Sequence, residues 1–375
     1  MARILYGVAG EGMGHAVRAR VVLEHLARRH EVQVVASGRA HAYLAARAPE
    51  GISAEQVRRI WGMSIVYRDN GVRNLRTFAA NVRGGLLGGV PHNLRTYLAL
   101  TRSFQPDVVI SDFETWSGLF ARVRGVPCIS LDNNQVLDRC RHDPAIVGRD
   151  RLAYLVARAL VRAKVPGCLH YLVSTFFHPP VARPRTSLHP PVLRPCVLAA
   201  RAEAGEHLLV YQTTTENRAL LDALRRSGRE CRIYGLRRDL AAEVREGSLR
   251  FRPFDEASFV DDLRTARGVI SGGSFTLMSE AIYLGKPMLS VPVRRQFEQI
   301  LNARYLDRLG YGVAVDEVTP QILAGFEERL PDLARAVSGH AQDGNAELLG
   351  RLDALIAAAR PEAPEEGEAL GERRA

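Results

Sequence analysis

The feature that most limits what this chain can become is a repeated alternation. Short apolar runs trade places with amphipathic helical stretches, the pattern halts at a proline cluster, and then it starts again. In the first round the apolar runs are 4–9, 31–36, 107–111, 127–131 and 171–174, with helical patterns between them, for instance over 16–29 and 116–124. Runs that are apolar at successive positions rather than alternate ones predict strands buried on both faces, as in a parallel sheet covered by helices. The stretch HPPVARPRTSLHPPVLRP, 178–195, is dense in proline, which lacks an amide donor and continues neither helix nor sheet, so it reads as an interdomain linker. The alternation resumes at 208–211, 231–234, 269–271, 288–291 and 313–315. The expectation is an α/β chain of two tandem doubly wound Rossmann-like domains with a cleft between them. Residues 1–177 form the first domain, 178–205 the linker and 206–343 the second domain, followed by a C-terminal amphipathic helix over 344–360 and a disordered polar tail over 361–375.

At 375 residues the chain is long enough for two such cores. Its five cysteines are scattered without a CxxC pair, which argues against a zinc site or a disulfide framework and for a reducing compartment. No apolar run is long enough to span a bilayer and no signal peptide precedes the first strand, so the expected location is cytoplasmic. The net charge of +10 is uneven: residues 1–200 hold 27 Lys and Arg against 13 Asp and Glu, leaving 24 against 28 in the rest. A basic first half suits an anionic partner, and an arginine-rich compositional bias accounts for it equally well.

Two glycine loops stand where strands hand over to helices. The first is GEGMGH, with Gly12 and Gly14 before His15. Behind it Ala19, Val22, Leu23 and Leu26 recur at helical spacing, so one helix face packs on the sheet. The loop departs from the GxGxxG fingerprint, and ASGRAH stands where a dinucleotide fold carries an acidic ribose partner, so the dinucleotide signal is weak. His15 falls in the first helical turn, where the helix dipole favours the neutral ring, a form able to accept a proton. The bland reading is a histidine that packs or caps. Two carboxylates compete to orient it. Asp112 ends the run PDVVISD at the carboxyl edge of the sheet, where it would serve equally well as a helix cap; Asp132 ends the next run, ahead of Asn133 and Asn134.

The second loop is SGGSFTLMSEAIYLGKP, from Ser271 to Pro287. Ser274 suits an N-cap and Gly285 a helix stop. The amides of Gly273, Ser274 and Phe275, with a helix dipole behind them, would face an anion. Glu280 lies about 9 Å further along the helix, by its rise. There its carboxylate suits a ribose diol rather than a phosphate, unless it is an ordinary solvated helix residue.

Together these stretches resemble the GT-B glycosyltransferases, in particular the group of families 1 and 28. That group contains the lipid-linked N-acetylglucosaminyltransferase of peptidoglycan synthesis and the UDP-glycosyltransferases. The resemblance spans most of residues 1–310 and is strongest at GEGMGH and at SGGSFTLMSEAIYLGKPMLSVPVRRQFEQILNA. It implies an enzyme, a hexosyltransferase of inverting, metal-independent type that needs no cofactor beyond a nucleotide diphosphate sugar, most simply a UDP-sugar, as co-substrate. Residues 1–177 would bind the acceptor, through Gly12, Gly14, Asp132, Asn133 and Asn134, with His15 as general base steadied by Asp112. Residues 206–343 would bind the donor: Gly272, Gly273 and Ser274 at the diphosphate, Glu280 at the ribose, Glu298 and Gln299 at the sugar, and Phe254 beside the base. No metal ligand is implied.

Glu11 and Met13 depart from the small or polar residues usual in the first loop. Glu298-Gln299 departs from the paired glutamines of the peptidoglycan enzyme, so the sugar need not be N-acetylglucosamine. The expected partners are a nucleotide-sugar donor and a hydroxyl acceptor, the latter free or lipid-linked. Residues 72–104 and 149–165 mix arginine with leucine, which fits either peripheral contact with an anionic membrane or helices packed on the sheet with their arginines in water. A UDP-sugar 2-epimerase of the same fold is the alternative, though its usual doubled glutamate is absent. A non-catalytic nucleic-acid-binding protein has only charge in its favour, and no nucleic acid is expected as a partner.

Overall fold

A computed structural model describes residues 1–64, 67–68, 71–72, 74–212, 217–237, 239–340 and 342–359. The first sheet contains β1 (Arg3–Val8), β2 (Glu31–Ser37), β3 (Val57–Ile60), β4 (Val108–Asp112), β5 (Cys128–Asp132), β6 (His170–Ser174) and β7 (Thr186–His189), in the order β3-β2-β1-β4-β5-β6-β7. Every pairing in it is parallel. The second sheet contains β8 (Leu208–Tyr211), β9 (Cys231–Tyr234), β10 (Val244–Glu246), β11 (Leu249–Phe251), β12 (Gly268–Ser271), β13 (Met288–Ser290) and β14 (Gly312–Ala314), in the order β10-β11-β9-β8-β12-β13-β14. Only its edge pair β10 and β11 is antiparallel. In each sheet the strand order reverses beside a central strand: between β1 and β4 in the first, between β8 and β12 in the second. Open α/β sheets bind ligands at such switch points, outside the carboxyl ends of the strands. Both glycine loops leave strands at these points.

The helices used below are α1 (Met13–Ala27), α2 (Val90–Ser103), α3 (Thr115–Arg124), α4 (Arg151–Lys164), α5 (Glu256–Arg264), α6 (Phe275–Tyr283), α7 (Phe297–Arg308), α8 (Pro320–Ser338) and α9 (Ala346–Ala359). Helix α1 buries Ala19, Val22, Leu23 and Leu26 completely, the face its periodicity marks. It starts three residues before the run expected from 16, because Gly12, at φ +80, turns the chain into the helix ahead of Met13.

Three departures from the sequence reading matter for the site. Thr186–His189, inside the presumed linker, is the edge strand β7, paired parallel with β6. Its flanking prolines, Pro184, Pro190 and Pro191, lie outside the four paired residues, and an edge strand leaves one row of amides unpaired in any case. Strand β3, VRRI, was not expected, because charged residues interrupt its apolar pattern. Helix α9 follows the second sheet in the chain yet packs on the first: Leu348, Leu352, Leu355 and Ile356 share a buried cluster with Ile4, Val22, Leu26 and Val32. His25 on α1 bonds Asp353 at 2.9 Å. The tail expected to be disordered, 361–375, lies outside the described residues.

Candidate active site

The first glycine loop delivers His15 to the third position of α1, directly above the end of β4. His15 Nδ1 lies 2.6 Å from Asp112 Oδ1. Asp112 is fully buried. It does not cap α3: Glu114 does, accepting from the Trp116 and Ser117 amides at 2.9 and 2.6 Å, so the Asp112 carboxylate is left for the histidine. Asp132, the competing partner, turns to its own loop, accepting from Ser130 Oγ and from the Gln135 amide, each at 2.9 Å.

Arg18, one turn along α1 from His15, was not singled out by the sequence reading. It is 3 % exposed. Its Nε donates to Asp112 Oδ2 at 3.0 Å, its Nη2 pairs with Oδ1 of the same carboxylate, and its Nη1 donates to Asn133 Oδ1 at 3.0 Å. Burial alone would push the Asp112 carboxyl upward, but the charges of Arg18 and His15 and their hydrogen bonds outweigh it and hold the carboxyl below its ordinary value. The i, i+3 spacing of His15 and Arg18 puts both on one helix face, the one signal that could have found the arginine. Asn133 Nδ2 in turn donates to Glu298 Oε1 at 2.7 Å, so an acceptor-side and a donor-side residue meet across the cleft. Burial raises the carboxyl of Glu298, and burial likewise raises that of Asp132.

Phe113 and Lys164 complete this side. The His15 and Phe113 rings stack with centroids 5.9 Å apart and 8° between planes. Lys164, the last residue of α4, holds its ammonium 3.7 Å from the Phe113 centroid. Burial lowers its pKa against the fields of Glu114, Asp132, Glu11 and Glu298. Phe113 has φ +55, a left-handed conformation that costs a non-glycine residue roughly 1–3 kcal/mol.

The second glycine loop faces the first. A Cβ on Gly14 would stand 2.5 Å from Thr276 Oγ1, so the N-termini of α1 and α6 touch across the cleft. Ser274 is the N-cap residue of α6 by backbone, without a side-chain capping bond. The cradle is more closed than expected. The Gly273 amide donates to Gln299 Oε1 at 3.1 Å and the Ser274 amide to the Gly272 carbonyl at 2.9 Å. Gln299, expected at the donor sugar, is buried, and its Oε1 also accepts from the Val293 amide at 3.0 Å. A Cβ on Gly273 would fall 2.6 Å from the Gln299 Cα, so glycine is what lets α7 start against this loop.

Glu280 is not the solvated helix residue of the bland reading: it is 2 % exposed, and both carboxylate oxygens accept from Arg194, Oε1 from Nε and Oε2 from Nη2, at 2.7 Å each. Arg194 also donates to Glu256 Oε1 at 2.9 Å. It comes from the proline-rich stretch, which the sequence reading treated as a passive link. Phe254 is 55 % exposed and leans on Phe259 with centroids 5.4 Å apart, leaving a ring free just beyond β11 at the edge of the second sheet.

Two Rossmann-like domains with facing glycine loops, a histidine–aspartate pair on one lip and a helix N-terminus on the other define a GT-B glycosyltransferase. A family model for glycosyl transferase family 1 matches residues 2–331, and the chain belongs to that family. Among solved structures, the kitacinnamycin glycotransferase is similar at TM-score 0.67 and 18 % identity, over 96 % of this chain and 99 % of that one. The calicheamicin glycosyltransferase CalG4 is similar at TM-score 0.63 and 17 % identity, over 96 % and 100 %. UGT2 of Phytolacca americana, solved with UDP-2-fluoro-glucose and pterostilbene, is similar at TM-score 0.61 and 15 % identity, over 95 % and 99 %. At these identities the likeness speaks for the fold. No individual curated protein matches the chain significantly.

Proposed function

We propose that the enzyme moves a hexose from a nucleoside diphosphate sugar to an acceptor hydroxyl with inversion at the anomeric carbon. The observation that carries this reading is the hydrogen bond between His15 and Asp112 at the mouth of the cleft, opposite the N-terminus of α6. In the proposed step His15 Nε2 takes the acceptor hydroxyl proton while Nδ1–H stays on Asp112. The acceptor oxygen bonds to the anomeric carbon as the bond from that carbon to the β-phosphate oxygen breaks, and the nucleoside diphosphate departs with the electron pair. The positive end of α6 faces the leaving diphosphate, so the step calls on no resident metal or cofactor. On this reading Glu298, bonded to Asn133 across the cleft, would contact sugar hydroxyls, and the exposed ring of Phe254 would lie beside the base. That a relative was solved with UDP-2-fluoro-glucose, and another, from Streptomyces sp. SF2575, with thymidine diphosphate, supports both uridine and thymidine donors as the first to try.

Calorimetric and thermal-shift titration with UDP, GDP, TDP and their sugar conjugates tests the donor half. Preference for one diphosphate sets the donor class, and failure of all of them to stabilise the protein overturns the reading. His15→Ala is expected to abolish transfer while leaving nucleotide affinity within about twofold, because the histidine lies on the opposite lip.

Membrane contact is a second, separable proposal. Leu152, Leu155, Val156 and Leu160 on α4 are 76, 46, 53 and 65 % exposed, a leucine-rich stripe among arginines. Among the described residues no helix is long and apolar enough to cross a membrane, so this contact would be peripheral. Flotation with phosphatidylglycerol vesicles at low and high salt tests it; absence of binding at low salt removes it, and with it the case for a lipid-linked acceptor in a cytoplasmic, membrane-peripheral setting.

A further inference from the structure

A cavity of about 470 Å³ opens at the carboxyl ends of β2 and β3, and no role above uses it. Gly38 follows β2 directly and Trp61 follows β3, and both line it together with Arg59, Ile60, Gly88 and His92. The cavity is joined to the first glycine loop through backbone. A Cβ on Gly10 would come 2.6 Å from the Ser37 carbonyl oxygen, and one on Gly38 would come 3.4 Å from the Gly10 carbonyl oxygen. It therefore lies on the same sheet edge as His15.

Its walls are unusual. The chain widens into a π-type turn over Gly85–Gly89, in which Gly88 has φ +150. Two glycines of this turn and Gly84 just before it press on the indole: Cβ atoms on Gly84, Gly85 and Gly89 would reach Trp61 atoms at 3.2, 3.3 and 2.5 Å. Gly88 would meet nothing within 4 Å, so its backbone is bare towards open space. The tryptophan backbone is pinned by Asn93, which is fully buried, accepts from the Trp61 amide at 2.7 Å and donates to its carbonyl at 2.8 Å. The indole is thus fixed, covered on one side by a side-chain-free turn, and the part of it that lines the cavity offers an aromatic surface to a flat ring.

The charge at the mouth is one-sided. Arg59 and His92 line the cavity, and Arg58 and Arg95 line the shelf that continues from it. Among the described residues, no aspartate or glutamate lines either. A neutral polyol is gripped by acceptors as well as donors. A rim of guanidinium donors alone matches a group with acceptors only, a carboxylate or its like.

The geometry points to an acceptor that is a planar ring acid: an aromatic or similarly flat ring lying on Trp61, its anionic group held by Arg59, its hydroxyl directed along the strand edge to His15. This rests on the glycosyl-transfer reading, because it assigns the acceptor of that same reaction.

The test is titration calorimetry of the full chain with 4-hydroxybenzoate and its uncharged counterpart 4-hydroxybenzamide near neutral pH, with UDP and TDP titrated into the same preparations. The acid is expected to bind about tenfold or more tightly than the amide, the ratio one charge-assisted hydrogen bond supports. Arg59→Gln, an exposed position, should bring that ratio close to one without changing amide or nucleotide affinity. Trp61→Leu should weaken both ring compounds. Equal binding of acid and amide, or a preference that survives Arg59→Gln, overturns the acceptor class. If nucleotide still binds in that case, glycosyl transfer stands and only this assignment falls; if no nucleotide binds either, the transferase reading itself has failed.

Discussion

His15, Asp112 and Arg18 form a buried unit whose charges largely cancel, so the aspartate is more than an orienting group. Asp112→Asn would leave the Arg18 guanidinium buried without a counter-charge, at an expected cost of about 3–5 kcal/mol, read from the denaturant midpoint. The pH dependence follows from the lowered carboxyl of Asp112. The ion pair contributes its full stability above about pH 4, where the unfolded carboxyl is already ionised, and that contribution is lost as pH falls through the lower folded-state value. Unfolding midpoints measured from neutral to strongly acid pH should therefore fall less steeply in Asp112→Asn than in the native chain. Glu280 yields a second prediction at this scale. Because both its oxygens hold the buried Arg194, Glu280→Gln is expected to lower thermal stability by several degrees. An unchanged melting temperature with a large loss of nucleotide affinity would support the ribose role and show that Arg194 gives way to the ligand.

At the scale of elements, two glycines set how closely helices meet. Gly273 admits the start of α7 and Gly14 admits Thr276 at the start of α6. The neighbours differ in what they can yield. At Gly273 the obstacle is backbone, so Gly273→Ala is expected to cost about 1–3 kcal/mol of stability as well as nucleotide binding. At Gly14 the obstacle is a single hydroxyl. Gly14→Ala should reduce transfer, and Thr276→Ala in the same chain should recover most of it. Failure of that rescue in a product-formation assay would mean that the close approach of α1 and α6 is not what the substitution disturbs. Sequence periodicity located α1, which buries a continuous apolar face, and the capping signals Ser274 and Gly285 bracketed α6, whereas α7 was not expected as a helix. It missed β7 and β3, since a short edge strand with charged or proline neighbours carries little periodic signal.

At the scale of the molecule, α9 ties the end of the chain to its beginning. Four buried side chains, Leu348, Leu352, Leu355 and Ile356, join the first domain's core. At about 1.5–3 kcal/mol each, their loss would remove most of the stability of an ordinary domain. A chain ending at 345 is therefore expected to unfold in its first domain, seen as a lost or early thermal transition, while the second domain keeps its own. The amphipathic pattern of the segment foretold the helix but not its destination, which is set by where the polypeptide finds an uncovered apolar surface.

The sequence by itself determined the two rounds of α/β alternation, the two glycine loops at strand ends, His15 at a helix start and the apolar faces of α1 and α9. These are local: each depends on spacing within about a turn or a strand. The tertiary structure alone decided between Asp112 and Asp132, brought Arg18 and Asn133 to the pair, gave Glu280 to Arg194 and Gln299 to backbone amides, and sent α9 back to the first sheet. Most of those outcomes join groups tens to hundreds of residues apart. A polar side chain withdrawn from water takes whatever partner the packing brings within hydrogen-bond reach, and no spacing along the chain encodes which one that will be.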